Sequence, residues 1–316
     1  MTKGLSYYVK KFSKLNVSRS NGIAPNKPIL LLAIIELISQ GKIRQNQITL
    51  SAELIATFLN LWSYLGGTRN SDIGLPFFHL KGDKFWHHQP KRGFEKAIAS
   101  GVKIRSVALL RETVLYAYFD EELFTLLIDL NSRAVLTNTL INTWFSDKTQ
   151  EIERLLQVDA LAQREEELRS QGGKVYEPKD LEDEQESIIR DKAFRNIVVS
   201  TYNYSCALCG LQILNSLGQN VVDGAHIKPF YLFRDDRINN GLSLCKNHHW
   251  AFDRFWFTIN DDYTVIAADD LRETSPHSTP IRKFHNHLIT LPNHQQYYPR
   301  QDALQWHREI FFKRVG

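Results

Sequence analysis

The chain has 316 residues, 43% of them hydrophobic and 23% charged, with a formal net charge of +4. That length exceeds the usual size of one domain, so two domains are expected, with the composition of a soluble globular protein. No apolar run approaches the ~18–20 residues of a membrane span, and the start "MTKGLSYYVKKFSK" is too polar and basic for a signal peptide. Three cysteines in all argue against a disulfide framework and for a reducing compartment, so a cytoplasmic protein is expected. A charge this mild does not by itself imply nucleic acid.

Residues 1–146 read as a mixed, mainly helical domain. "APNKPILLLAIIELISQGK" places Pro28 at a first helical position and Gly41 just past the end. The run from Ile29 to Ile38 is apolar nearly all round, which predicts a central, buried helix. "SAELIATFLNLWSYL" predicts a second helix with Ser51 as N-cap. "GGTRNSDIGLPFFHLKGDKFWHH" reads as loop, short strand, turn at Gly82-Asp83, then strand. "EELFTLLIDLNSRAVLTNTLINTWF" is again helical. Residues 147–187 change character. "TQEIERLLQVDALAQREEELRSQGG" is a charged helix, and "KVYEPKDLEDEQES" is acidic without a sustained apolar pattern, so a helical, acidic linker is expected.

Residues 188–316 open with a helix, "IIRDKAFRNIVVSTYNY", and then hold every cysteine of the chain. "CALC" and "CKNH" carry two pairs at the same x-x spacing: Cys206 with Cys209, and Cys245 with His248. Zinc takes four tetrahedral ligands, with Zn–S arms of ~2.3 Å. Three thiolates and one imidazole close that count, so a structural zinc site is predicted. Its chemistry is structural because a closed four-ligand shell leaves no open position. His277, His285, His287, His294 and His307 lack metal spacing and read as surface or packing residues.

Between and just after the two knuckles lies "AHIKPF…NNGLSLCKNHHWAFD". The order His226, Asn240, His249 within this frame resembles the HNH (ββα-metal) nucleases. The resemblance implies His226 as general base and a Mg²⁺, Mn²⁺ or similar ion held by His249. Asp253, one helical turn on, either completes that metal site or orients His249. Asn240 braces the loop carrying His226 or adds an oxygen ligand. Many such nucleases bind the metal through an Asp or His immediately before the base. That position is Ala225 here, and Asp223 is out of phase on a strand. Lys228 and Arg254 are candidates for the scissile phosphate.

"NGIAPNKPILLLAIIELI" with "GLPFFHLKGDKFW" resembles the sulfur-binding domain of phosphorothioate-dependent, McrA-like restriction endonucleases. The resemblance implies a shallow apolar pocket for the phosphorothioate sulfur of duplex DNA. Pro76 matches the family's pocket proline, with His79 on the same loop. Leu75 stands where an aromatic is expected. Asn26 and Lys27 occupy the basic rim, and Arg69 and Asn70 lie on a glycine-flanked loop suited to a groove. The expected whole is an α+β protein: a DNA-recognition domain, a linker and a zinc-stabilised HNH domain that cleaves modified duplex DNA, as a dimer on that DNA. An HNH nuclease reading a modified base or an unmodified site, and a non-catalytic zinc-containing DNA-binding protein, stay open as alternatives.

Overall fold

The computed structural model describes residues 3–18, 24–67, 71–99, 106–216, 218–274 and 279–315. The chain divides into two compact units. The first comprises residues Met1–Gln163 and Asp183–Ile189, the second Arg164–Glu182 and Arg190–Gly316. Among the described residues, no helix is long and apolar enough to cross a membrane.

The first unit is mainly helical: α1 (Leu5–Phe12), α2 (Asn26–Ser39), α3 (Ala52–Leu65), α4 (Gly74–His79), α5 (Glu95–Ala99), α6 (Val107–Thr113), α7 (Glu121–Ile128), α8 (Leu130–Trp144) and α9 (Thr149–Leu155), with one antiparallel pair, β1 (Trp86–Pro90) and β2 (Val114–Phe119). Helix α2 is buried from Lys27 to Ile38 and packs on α3, α4, α7 and α8. An all-round apolar helix can only sit at the centre of such an array. Pro28 lies inside its first turn, with Pro25 as the N-cap residue. The side chain of Ser51 accepts from Leu54 N at 3.3 Å and caps α3 as expected. Asp120, at the end of β2, accepts from Lys3 Nζ (2.7 Å), Tyr8 Oη (3.0 Å) and His87 (2.7 Å), which ties α1 to the strand pair.

The stretch "GLPFFHL" forms α4 rather than a strand, and Leu80–Asp83 continue it as a 3₁₀ turn. Phe77 and Phe78 are both buried. Strand alternation would have sent one of them to solvent, and the Asp72 side chain, accepting from Gly74 N at 2.8 Å, starts a helical turn. The strand after the turn, β1, is present, with Trp86 donating to Phe77 O at 2.8 Å. The stretch expected to link the domains is shared between the units. Helix α9 buries Ile152 completely in the first unit, while residues 164–182 pack in the second.

The second unit contains most of α10 (Ala160–Ser170), the greater part of α11 (Glu184–Thr201), and an antiparallel hairpin of β3 (Val222–His226) and β4 (Gly241–Cys245). Between these strands comes the short α12 (Phe230–Phe233). After them follow α13 (Lys246–Asp253), the pair β5 (Phe257–Ile259) and β6 (Val265–Ala267), and α14 (Gln301–Val315). The hairpin lies directly on α11. A Cβ on Gly224 would stand 2.8 Å from Arg195 Cα, so only glycine permits this approach. His307, on α14, is a packing residue. It stacks on Phe252 at 3.8 Å, bonds Thr258 Oγ1 at 2.8 Å, and burial pushes its pKa down to about 3. His277 lies outside the described residues.

Candidate metal centre and active site

The two knuckles meet. The Sγ atoms of Cys206, Cys209 and Cys245 and a ring nitrogen of His248 all lie within 4.8 Å of one another. His248 Nδ1 is 3.4 Å from Cys206 Sγ and 3.3 Å from Cys245 Sγ. A tetrahedron with Zn–S arms of ~2.3 Å has edges of ~3.8 Å, so four donors at these separations fit one ion. The local fold explains the convergence. Gly210 N donates to Cys206 O (2.8 Å), which curls the first knuckle. Ala207 N donates to Ser243 O (2.7 Å), which fixes that knuckle to β4. Cys245 ends β4, and His248 lies in the first turn of α13.

His226 ends β3, opposite Gly241. Its ring stacks on Phe194 of α11, with centroids 3.9 Å apart and planes 7° from parallel. Its Nε2 lies 2.7 Å from Asp236 Oδ1, and the other oxygen of Asp236 accepts from Arg190 at 2.7 Å. Asp236 is fully buried. A carboxylate paired with Arg190 is an acceptor, so Nε2 of the imidazole donates to it, and in the neutral ring Nδ1 keeps the lone pair. Asp236 was not singled out in the sequence, where it is one of two adjacent aspartates. Its neighbour Asp235 instead pairs with Arg237 (2.7 Å) and Arg300 (3.0 Å).

Asn240 is also fully buried. Its Oδ1 accepts from Lys228 N at 3.0 Å, and its Nδ2 donates to Lys228 O (3.1 Å) and Asp235 O (2.9 Å). These bonds brace the two ends of the loop that follows His226. The expectation that Asn240 adds an oxygen ligand to the catalytic ion is therefore corrected, because its amide is committed to the backbone and sealed from solvent. Lys228 Nζ pairs with Asp302 at 2.8 Å, and Arg254 lies over the Trp250 ring at 3.7 Å.

His249 turns away from its neighbour His248. Its Nδ1 is 3.6 Å from Asp223 Oδ2, and its Nε2 is 3.6 Å from Asp253 Oδ2. Asp253 thus meets His249 across one helical turn, as the i, i+4 spacing predicted. Being out of phase with His226 is what brings Asp223 to His249. Burial works to raise the Asp223 carboxyl, but hydrogen bonds from His249 and Lys246 and the charge of Arg195 outweigh it and hold it well below the usual carboxylate range.

In the first unit, a cleft of about 730 Å³ is lined by Asn26, Lys27, Leu75, Pro76 and His79, all expected to line one site, together with Lys81. Leu75 is 38% exposed, between the buried Gly74 and Pro76. Lys27 does not stand at the rim as a free cation. Its ammonium is buried against Asp83 Oδ2 (2.7 Å) and Asn16 O (2.6 Å). The cation at this cleft is Lys81, whose Nζ sits 3.9 Å over the Phe78 ring and whose pKa burial lowers. Arg69 and Asn70 lie outside the described residues.

A family model described as HNH endonuclease matches residues 206–260. One described as ScoMcrA-like, DNA sulfur-binding domain matches residues 6–162. Among solved structures, the chain is similar to one titled "Modification dependent TagI restriction endonuclease", at 25% identity and a TM-score of 0.28, over 37% of this chain and 36% of that one. The chain therefore spans about a third of the length of that relative. No curated protein matches the sequence. The chain thus carries two matched domains: a DNA sulfur-binding domain of the ScoMcrA-like kind over residues 6–162 and an HNH endonuclease domain over residues 206–260.

Proposed function

We propose that the protein is a modification-dependent restriction endonuclease. The first unit receives phosphorothioated duplex DNA, and the second hydrolyses phosphodiester bonds. The observation that carries the catalytic half is the His226–Asp236–Arg190 arrangement, which leaves Nδ1 of His226 as a base. Nδ1 takes a proton from water as the oxygen attacks phosphorus, and Asp236 stabilises the imidazolium that results. The Phe194 ring against its face and the Asn240 brace behind its loop hold the imidazole in one orientation. Cys206, Cys209, Cys245 and His248 hold the structural zinc. His249 would hold a Mg²⁺, Mn²⁺ or similar ion, with Asp253 or Asp223 as its carboxylate partner. When bound, that ion offsets charge on the phosphorane and the leaving 3′-oxygen.

The recognition half rests on the cleft at Leu75 and Pro76. Sulfur is larger, more polarizable and less strongly hydrated than oxygen, so an apolar wall favours it through dispersion and cheaper desolvation. Lys81 supplies positive charge for the phosphate, a role the buried Lys27 cannot fill. Asn26, Leu75, Pro76 and His79 are the remaining contacts. Each chain carries one His226 station, so cutting both strands takes two chains, and a dimer assembles on the DNA. The working compartment is the cytoplasm, where the thiolates stay reduced.

Two matched plasmids, one with phosphorothioate linkages and one without, test the proposal over a panel of divalent metals. Cleavage confined to the modified plasmid is expected. Equal cleavage of both would remove the sulfur specificity and leave the nuclease. Absence of nicking with every metal would favour a non-catalytic DNA-binding protein. The His226→Ala chain should bind the modified duplex and retain zinc while losing cleavage.

A further inference from the structure

The loop after His226 ends in α12, and its apolar side chains point two ways. Phe230 and Phe233, spaced i and i+3, turn inward. Phe230 lies 5.7 Å from the His226 ring and under the Arg190 guanidinium at 3.6 Å. Phe233 meets Trp306 edge-on at 5.2 Å. Tyr231 and Leu232, between them, are 78% and 53% exposed. Among the described residues, Tyr231 is the most exposed large apolar side chain.

This projection is held firmly. Arg234 N donates to Phe230 O (2.8 Å), and Arg234 O accepts from Tyr176 N (2.9 Å). Arg234 closes the turn with φ 49°, a left-handed conformation that an arginine adopts at a cost. Asn240 pins the loop's start through Lys228. An ordered backbone is thus used to present two apolar side chains to solvent. Burial would stabilise both side chains, and the fold forgoes it.

We propose that Tyr231 and Leu232 form a wedge that enters the minor groove of the DNA beside the scissile phosphate and unstacks one base step. This rests on the nuclease reading above. A duplex whose phosphate reaches Nδ1 of His226 lies close to α12, whose first residue, Phe230, has its ring 5.7 Å from that imidazole. Apolar side chains on a rigid base are what minor-groove wedges use to kink a duplex. Arg234, two residues after Leu232, gives the wedge a cation for the adjoining backbone.

The test uses the full chain and a phosphorothioated duplex carrying 2-aminopurine at the mapped cut step. The His226→Ala chain should raise 2-aminopurine fluorescence on binding, because the base unstacks. Adding Tyr231→Ala and Leu232→Ala should abolish that rise. In the otherwise wild-type chain, the same pair should lower cleavage roughly 10- to 100-fold, the range of losing one or two stacking contacts. Zinc content and melting temperature should hold, since both side chains are exposed. If the alanine pair melts early, Tyr231→Trp with Leu232→Met must restore both signals. A fluorescence rise that survives the alanine pair, or cleavage within twofold of wild type, overturns the wedge and leaves the nuclease standing. A wild-type chain that cuts nothing overturns the nuclease; 2-aminopurine is then placed at each step of the duplex in turn, and the absence of a Tyr231-dependent rise at every step overturns the wedge as well.

Discussion

Asp236→Asn is the substitution on which the reading of the active site turns. Asp236 is fully buried and bonds His226 and Arg190 at 2.7 Å each. The Arg190 side chain is only 13% exposed. Removing one partner of a buried pair costs about 3–5 kcal/mol. Asparagine keeps an oxygen for Arg190, which places the loss near ~3 kcal/mol. At roughly 3 °C per kcal/mol for a domain of this size, melting should fall by roughly 9 °C. The effect on rate has a separate cause. With the amide oxygen turned to Arg190, the amide NH₂ faces His226. It then donates to Nε2, and the imidazole proton moves to Nδ1, where the base is needed. An imidazole held in the wrong tautomer loses up to ~10⁴-fold in rate in hydrolytic triads, so a fall of about 10²- to 10⁴-fold is expected. Plasmid nicking well below the melting transition, with zinc content measured on the same sample, separates the two effects. A folded, zinc-loaded variant that nicks within threefold of wild type would refute the tautomer argument.

Cys206→Ser should lose the structural metal and the cooperative melting of the second unit together, read by elemental analysis and calorimetry. Gly173→Ala should impair catalysis while sparing zinc. Gly173 has φ +90°, and a Cβ there would collide with the Asp236 carbonyl. Nicking rate with zinc content checks this, and an unchanged rate would mean that the loop yields freely. Stability should also fall in mild acid. Burial lowers the pKa of His88 to about 4 and of His307 to about 3. The unfolded chain therefore binds more protons below the ordinary histidine value of ~6.5. Stability is full above that pH and declines toward pH 4, by up to roughly 1.4 kcal/mol per pH unit per histidine. Urea unfolding at pH 7.5, 6 and 5 measures the slope, and a flat profile would contradict the burial of both rings.

Where residues act within a few positions of one another, the sequence was sufficient. Cys206 and Cys209 share one turn, Cys245 and His248 another, and Ser51 caps the helix it immediately precedes. The His249–Asp253 contact follows from helical periodicity alone. Features made by distant parts of the chain were not legible. Asp235 and Asp236 are identical neighbours, and only the arrival of Arg190 and His226 on one side and Arg300 on the other gives them different tasks. Lys27 reads as a rim cation until Asp83, 56 residues away, buries it. "GLPFFHL" is too short for its apolar run to declare a period, and packing on both Phe77 and Phe78 decided for helix.

His248 and His249 are consecutive residues of one helix, and in the proposed mechanism they serve two different metal sites. A chelator should consequently inactivate the protein in two kinetic phases. Stripping the ion at His249 leaves the helix in place, so adding Mg²⁺ restores activity at once. Stripping the ion at His248 releases Cys245 and the start of α13 and displaces His249 with them. Mg²⁺ alone then recovers nothing, and activity returns only at the rate at which the zinc-bound unit refolds. The time of exposure to chelator, rather than its concentration, should decide which behaviour is seen.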